Sequence, residues 1–191
     1  MTTLLALETA TGSASLALLR ADGKLLAETT FAARRTMASR VLPMLDALCA
    51  SVDLAPTEID ALAVGLGPGS FTSLRVGLAT AQGIALACAE EPPLLGVGTL
   101  EVLAAGAPLT TRRPVCAVLA APKRSVYAAT YARLDEHSSN CLFGPELLEI
   151  TELAHRLRAI GHETLVVGPL AAADRALLAA AGCGFAPPIF D

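Results

Sequence analysis

The sequence lacks tryptophan, and its aromatic residues amount to only 4% of the 191-residue chain. Charged residues are also few, at 17%, whereas hydrophobic residues make up 53%. This combination excludes a disordered chain, because disorder needs low hydrophobicity and high charge. Alanine and leucine must form the core in place of aromatic rings, and small side chains bury less apolar area per residue. The composition therefore indicates a folded protein that gains part of its stability by associating with another subunit.

Metal and redox chemistry are poorly supported. The five cysteines, at positions 49, 88, 116, 141 and 183, include no C-x-x-C pair, so neither a zinc site nor a redox pair is indicated. We interpret them as buried, reduced thiols of a cytosolic protein. The histidines, His137, His155 and His162, lack the spacing that places two ligands on one helix face. We therefore predict no metal site.

Charge and hydropathy limit the location and the partners. The formal net charge is −4, and the basic residues form no stripe, which argues against strong autonomous binding of nucleic acid. The N-terminus enters an apolar strand without a basic segment or a cleavage site, so no secretion signal is predicted. Glycines and a proline interrupt the most apolar stretch, which excludes a membrane span there. We expect a cytoplasmic protein that does not contact a membrane.

The most informative stretch runs from residue 61 to residue 89. The apolar run Ala61–Val64 leads into the loop Gly65–Gly69, and a segment of small residues follows in which Arg75 is the only charged residue. This pattern predicts a buried strand, a tight loop and a buried helix, with Ser70 as the helix cap. The loop is either a phosphate cradle or a close-packed joint. Its Gly-x-Gly-Pro-Gly-Ser pattern matches neither the dinucleotide fingerprint nor the P-loop, and no lysine follows it.

The predicted elements repeat in two halves. The order is β-β-β-α-β-α up to the middle of the chain, and the same order returns after Gly106. This duplication predicts an α/β protein with two ribonuclease-H-like lobes of the actin, hexokinase and Hsp70 superfamily, each a mixed sheet with flanking helices. We place the N-terminal lobe, with its partner-binding helices, at residues 1–105 and the smaller C-terminal lobe at residues 106–191.

The pattern of residues gives no catalytic set. In this fold the first strand usually ends with an acid near nucleotide and metal, and here that residue is Glu8. We favour a second interpretation, in which Glu8 accepts hydrogen bonds from the next turn, because no carboxylate is placed to pair with it. The candidates for nucleotide binding are thus weak: Glu8, Thr9, Thr11, Gly67 and Gly69.

Residues 67–77, GPGSFTSLRVG, closely resemble the signature of the TsaB (YeaZ) family. Four further segments match that family in order and spacing: Leu5–Thr11, Arg40–Met44, Ile59–Ala63 and Gly96–Leu100. The resemblance covers residues 3–132 well and is weak thereafter. It is specific, because an eleven-residue motif occurs in the expected strand, loop and helix context.

The resemblance implies a non-catalytic scaffold role. TsaB-like proteins pair with a TsaD-like catalytic subunit that modifies the adenosine next to the anticodon of tRNA, and a TsaE-like ATPase joins the complex. It implies that this chain alone binds no cofactor, that the partner subunits hold ATP and a metal, that tRNA is contacted only through the complex, and that the isolated chain forms a homodimer through the same surface. The alternative is an autonomous small-molecule kinase or metalloprotease-like enzyme of the same superfamily.

The resemblance also assigns an interface to the first two long helices. Its predicted residues lie on the helix from Met37 to Val52 and around the start of the next: Met37, Val41, Met44, Leu45, Gly69, Ser70, Phe71, Thr72, Leu74, Arg75 and Leu78. The small residues of the second helix allow close helix packing, and for Gly77 and Gly83 an interface contact and an intramolecular contact remain equally open.

The chain departs from the family pattern at several polar positions. Glu8 replaces a usual aspartate, Ser73 a glycine, Met37 a histidine and Ala120 an acidic residue, while Arg124-Ser125 replaces a Gly-Glu pair. Most of these changes remove polar groups and weaken any autonomous nucleotide or metal site. The chain is also shorter than most members of the family, so we expect the C-terminal helix that usually returns to the first lobe to be absent.

Overall fold

A computed structural model describes residues 2–33, 35–108, 113–133, 139–160 and 163–186, with only the backbone of Arg133 and Ser139. The chain divides into two compact units after Thr99. The boundary that we predict near residue 106 lies after the helix that starts at Thr99, rather than at the start of that helix. Beyond its first residue, Thr99, that helix belongs with the second unit because Leu100, Leu103 and Ala104 are buried in the core of that unit.

The first unit contains a mixed five-stranded sheet in the order β3-β2-β1-β4-β5. Its strands are β1 (Thr3–Glu8), β2 (Ser13–Arg20), β3 (Leu25–Ala32), β4 (Ala61–Gly65) and β5 (Leu94–Val97). The first three strands are antiparallel neighbours, whereas β4 pairs parallel to β1 and β5 pairs parallel to β4. Parallel pairing needs crossover connections, and helices provide them.

Two helices, α1 (Met37–Ala50) and α2 (Phe71–Ala87), pack with the sheet around a single core. A short 3-10 helix, Pro56–Glu58, precedes β4. Alternate residues of β1 and β2 are buried, as expected for strands with one face on a core. This arrangement fixes which face of each helix is available to a partner.

The burial of α1 corrects part of the predicted interface. Met37, Val41 and Leu45 are 5%, 0% and 1% exposed and belong to the core of the first unit. The apolar spacing along α1 is therefore the core-facing stripe of an amphipathic helix. These three side chains are not available for contact with another protein.

The second unit contains another mixed five-stranded sheet, in the order β10-β9-β6-β7-β8. Its elements in chain order are α3 (Thr99–Ala105), β6 (Val115–Ala121), β7 (Ser125–Arg133), β8 (Ser139–Glu149), α4 (Ile150–Ala159), β9 (Leu165–Val167), α5 (Ala172–Ala180) and β10 (Gly184–Phe185). One core forms with α3, and a separate core forms with α4 and α5. Residues of β6 and β7 alternate between the two cores, as expected for strands that are covered on both faces.

Two local features mark the second unit. Strand β8 is continuous past Gly144-Pro145, because shifts in its register with β7 form a bulge there. Helix α4 begins at Ile150, directly after β8, and has no side-chain cap.

The cysteines are all free thiols. Burial raises the pKa of Cys116 to about 12 and also raises the pKa of Cys49 and Cys183. Cys141 differs from these because it is exposed. Along the described ranges, no helix is long and apolar enough to cross a membrane.

Replacing Leu45 by alanine tests whether α1 uses this residue for its own core. We expect Leu45→Ala to lower the free energy of unfolding by about 2–5 kcal/mol, because it opens a cavity in a packed core. Leu42→Ala is the matched control, since Leu42 is 52% exposed on the same helix, and it should change the free energy of unfolding by less than about 0.5 kcal/mol. Urea denaturation of both variants measures the difference, and equal effects would contradict the assignment.

Candidate functional site

The turn after β1 and the glycine loop after β4 lie together. Strands β1 and β4 are parallel neighbours, so both end at the same edge of the sheet. The Ser70 N–H donates to the carbonyl oxygen of Ala10 over 2.7 Å. A Cβ at Gly69 would overlap that same carbonyl oxygen. The loop thus contacts the turn backbone to backbone, and glycine at position 69 permits the approach.

The Glu8 carboxylate stabilises this turn by accepting two hydrogen bonds. Its Oε1 accepts a hydrogen bond from the Ala10 N–H at 2.6 Å, and its Oε2 accepts one from the Thr99 hydroxyl at 2.8 Å. The carboxylate also lies directly over Gly65, where a Cβ would overlap it. The hydrogen bond from Ala10 is the one expected of a strand-end carboxylate that accepts from the next turn.

Thr99 joins Glu8 to the glycine loop. Its backbone N–H donates to the Gly67 carbonyl oxygen at 2.9 Å, and its Oγ1 accepts from the Gly67 N–H at 3.1 Å. The residue is 1% exposed. Its hydroxyl therefore hydrogen-bonds to two groups that are distant in sequence, the Glu8 carboxylate and the Gly67 N–H.

Thr9 attaches the same turn to α2. Its hydroxyl donates to the Ser73 carbonyl oxygen at 2.9 Å, and its side chain fills the space that a Cβ at Gly77 would need. Gly77 therefore makes an intramolecular contact. Ser70 caps α2 as predicted, because its Oγ accepts from the Ser73 N–H at 3.4 Å.

Four of the five candidate nucleotide-binding residues are engaged within the chain, whereas the N–H of the fifth, Gly69, has no hydrogen bond with the described residues. The oxygens of Glu8 and Thr9 have the partners described above, and the Thr11 hydroxyl donates to the Ser13 carbonyl oxygen at 3.1 Å. The N–H groups of Gly67 and Ser70 are also used. Within the described part of the chain, no three His, Cys, Asp or Glu side chains are grouped as metal ligands. The arrangement is that of a structural clasp, which we call the loop clasp: residues 8–10, 67–70 and Thr99.

The outer surface beside the loop clasp is apolar and exposed. Phe71, in the first turn of α2, is 72% exposed, and the Arg75 guanidinium lies 5.0 Å from the centroid of its ring. Leu78 and Leu86 of the same helix are 37% and 80% exposed. These three apolar side chains lie about two turns apart along α2, and we treat them as candidate contacts for a partner.

A groove with a volume of about 510 Å³ separates α1 from α2. Its lining is almost entirely small or apolar: Ala38, Leu42, Pro56, Thr57, Val76, Ala79, Thr80, Gly83, Ile84 and Ala87. A Cβ at Gly83 would meet nothing within 4 Å, so this glycine lies on the open groove. We refer to these residues as the helix groove.

The predicted interface residues separate into three groups, of which the first is the buried set Met37, Val41 and Leu45 on α1. Six of them are exposed around the start of α2: Gly69, Ser70, Phe71, Thr72, Arg75 and Leu78. Leu74 is half-buried and lies beside Gly67, and Met44 is half-buried against the core. The prediction missed Ala38 and Leu42, although their spacing of four residues on α1 was the signal for a second apolar face.

The two five-stranded mixed sheets with flanking helices define the class: an α/β protein of two ribonuclease-H-like units, as in the actin, hexokinase and Hsp70 superfamily. Residues 27–168 match the family model described as TsaD, tRNA N6-adenosine threonylcarbamoyltransferase. The chain is 36% identical over 167 residues to the tRNA threonylcarbamoyladenosine biosynthesis protein TsaB of Escherichia coli, covering 86% of this chain and 70% of that protein. It is 39% identical to TsaB of Haemophilus influenzae over 132 residues, 69% of this chain and 54% of that protein.

Solved structures agree with these relatives. YeaZ from Pseudomonas aeruginosa superposes with a TM-score of 0.65 at 33% identity, covering 78% of this chain and 67% of that one. A protein described as similar to the peptidase YEAZ from Pseudomonas aeruginosa gives a TM-score of 0.73 at 31% identity, covering 87% and 75%. The chain therefore belongs to the family that the TsaD model describes. Within that family it belongs to the TsaB (YeaZ) proteins of tRNA threonylcarbamoyladenosine biosynthesis.

Two glycines of α2 give a direct test of the loop clasp. We expect Gly77→Ala to lower the free energy of unfolding by about 1–3 kcal/mol, because the new methyl group overlaps the Thr9 hydroxyl. Gly83→Ala should raise it by about 0.5–1 kcal/mol, because alanine favours helix and the site is open. Chemical denaturation of both variants measures the two shifts. Shifts of the same sign would show that Thr9 does not pack closely on α2.

Proposed function

We propose that this chain is a non-catalytic docking subunit that binds and activates a TsaD-like enzyme in the synthesis of N6-threonylcarbamoyladenosine next to the tRNA anticodon. One observation carries the proposal: the Glu8 carboxylate, the Thr99 hydroxyl and the N–H groups of Gly67 and Ser70 have partners within the chain, while α1 and α2 expose an apolar groove. These two loop N–H groups are therefore not free to bind a phosphate.

The helix groove suits a partner helix. Its alanine and glycine residues permit close approach of another backbone, and Leu42 offers a larger apolar group within it. Phe71 adds an exposed apolar group at the start of α2. Fully burying one such large side chain contributes about 1.5–3 kcal/mol. A few anchors of this size are enough for a specific complex when the surrounding surface is complementary.

A TsaD-like protein is the natural occupant because a single family model describes both. Two proteins with the same fold carry equivalent helices, so they can pair in a nearly two-fold manner, as identical subunits do. In this proposal the isolated chain forms a homodimer through the same surface. In this proposal ATP and a metal are held by the TsaD-like subunit and a TsaE-like ATPase in the cytoplasm, and tRNA is contacted through the complex.

The autonomous-enzyme alternative is disfavoured by the same geometry. A kinase of this superfamily needs a loop that holds phosphate and a carboxylate that faces a metal. Here the Gly67 and Ser70 donors and the Glu8 carboxylate have intramolecular partners. In this proposal the partner recruits the tRNA, because this chain carries a net charge of −4, which opposes binding to a phosphate backbone.

Placing a charge in the helix groove tests the proposed interface. Ala79→Arg introduces a guanidinium where the complex would exclude water, and an uncompensated buried charge costs several kcal/mol. We expect the wild-type chain to elute with the TsaD-like protein of the same organism in size-exclusion chromatography, and Ala79→Arg to elute alone. Reconstituted tRNA modification should fall in parallel.

The control is an alanine-to-arginine substitution on an exposed helix of the second unit. Ala179 is an exposed alanine on α5 of the second unit, so Ala179→Arg should leave the complex and the modification unchanged. The proposal is wrong if the wild-type chain forms no complex and modification proceeds without it. The interface is misplaced if Ala79→Arg and Ala179→Arg behave alike.

A further inference from the structure

We infer that Thr99 and Glu8 are positioning residues for partner docking, which rests on the proposed function. Neither residue needs to touch the partner. They hold the glycine loop in one conformation, and the loop determines where α2 begins and how Phe71 is presented.

Gly67 and Thr99 are joined by two hydrogen bonds, one in each direction. The Thr99 N–H donates to the Gly67 carbonyl, and the Gly67 N–H donates to the Thr99 hydroxyl, at 2.9 and 3.1 Å. Both polar groups of one loop residue are thereby fixed by a single buried threonine. Gly67 has a φ of +89°, a conformation that glycine adopts readily but that it also leaves readily when nothing holds it.

Glu8 connects the Thr99–Gly67 hydrogen bonds to a second contact of the loop, the hydrogen bond from Ser70 to Ala10. Its carboxylate accepts from Thr99 and from the Ala10 N–H, and the Ala10 carbonyl accepts from Ser70. Gly67 and Ser70, near the two ends of the loop, are thus tied to one carboxylate through two short chains of hydrogen bonds. Phe71 directly follows Ser70 and begins α2.

The Thr99 hydroxyl is the vulnerable member of this network. Removing it from a residue that is 1% exposed leaves Glu8 Oε2 and the Gly67 N–H without this partner. Unpaired buried polar groups drive a local rearrangement that restores contact with water or with another group. Such a loop spends less time in the docking conformation, and the apparent affinity falls by the same fraction.

The experiment compares Thr99→Val with Thr99→Ser, because valine keeps the shape and serine keeps the hydroxyl. The dissociation constant for the TsaD-like protein of the same organism is measured by calorimetry. We expect Thr99→Val to weaken binding by about tenfold or more, and Thr99→Ser to bind within about twofold of wild type. Amide hydrogen exchange at Gly67, measured on the chain alone, should speed up in Thr99→Val and remain slow in Thr99→Ser.

Thr130→Val is the matched control for losing a buried threonine hydroxyl. Thr130 is 0% exposed in the second unit, and its hydroxyl, beside the Cys116 thiol, makes no hydrogen bond of normal geometry with the described residues. Its replacement should change neither the affinity nor exchange at Gly67. Glu8→Gln is the second loop variant, used if Thr99→Val does not fold, and it should weaken binding and speed exchange in the same direction.

The outcomes separate the two claims. A wild-type chain that fails to bind the TsaD-like protein overturns the proposed function without reference to any variant. Wild-type binding with an unchanged affinity for Thr99→Val, or for Glu8→Gln in its place, overturns the positioning role. Equal losses in Thr99→Val and Thr130→Val also overturn it, because the effect would then be general destabilisation.

Discussion

The loop clasp of the first unit depends on the hydrogen bonds of the Thr99 hydroxyl. This hydroxyl donates to Glu8 and accepts from Gly67, so one buried group links the end of β1 to the loop after β4. Buried polar groups stabilise a fold only when each has a partner, and here the three residues satisfy one another. The loop conformation follows from that closed network, and so does the starting point of α2.

This network has a functional consequence because polar groups engaged within a chain are not available to a ligand. A glycine loop at a helix N-terminus is a common anion site, but the donors of Gly67 and Ser70 are already used. The exposed apolar surface of α1 and α2 is the basis for the proposed protein interface. The chain has the architecture of an enzyme superfamily, and in our proposal its glycine loop positions a docking helix.

The sequence predicted the fold well because its signals were local. Alternation in β1 and β2, the glycine loop and the Ser70 cap each depend on residues close together in the chain. The role of Thr99 depends on Glu8, which is far away in sequence, and no local pattern could show that contact. The face of α1 was also misassigned, since Val41 and Leu45 belong to the stripe that faces the core, whereas Leu42 belongs to the other.

Hydrogen exchange of the chain, with and without the TsaD-like protein of the same organism, tests the central claim most directly. The account predicts that the partner slows exchange in peptides from α1, from the 3-10 helix Pro56–Glu58 and from α2, and leaves peptides of β6, β7 and α4 unchanged. Protection confined to the second unit, or no protection anywhere in α1 and α2, would contradict it.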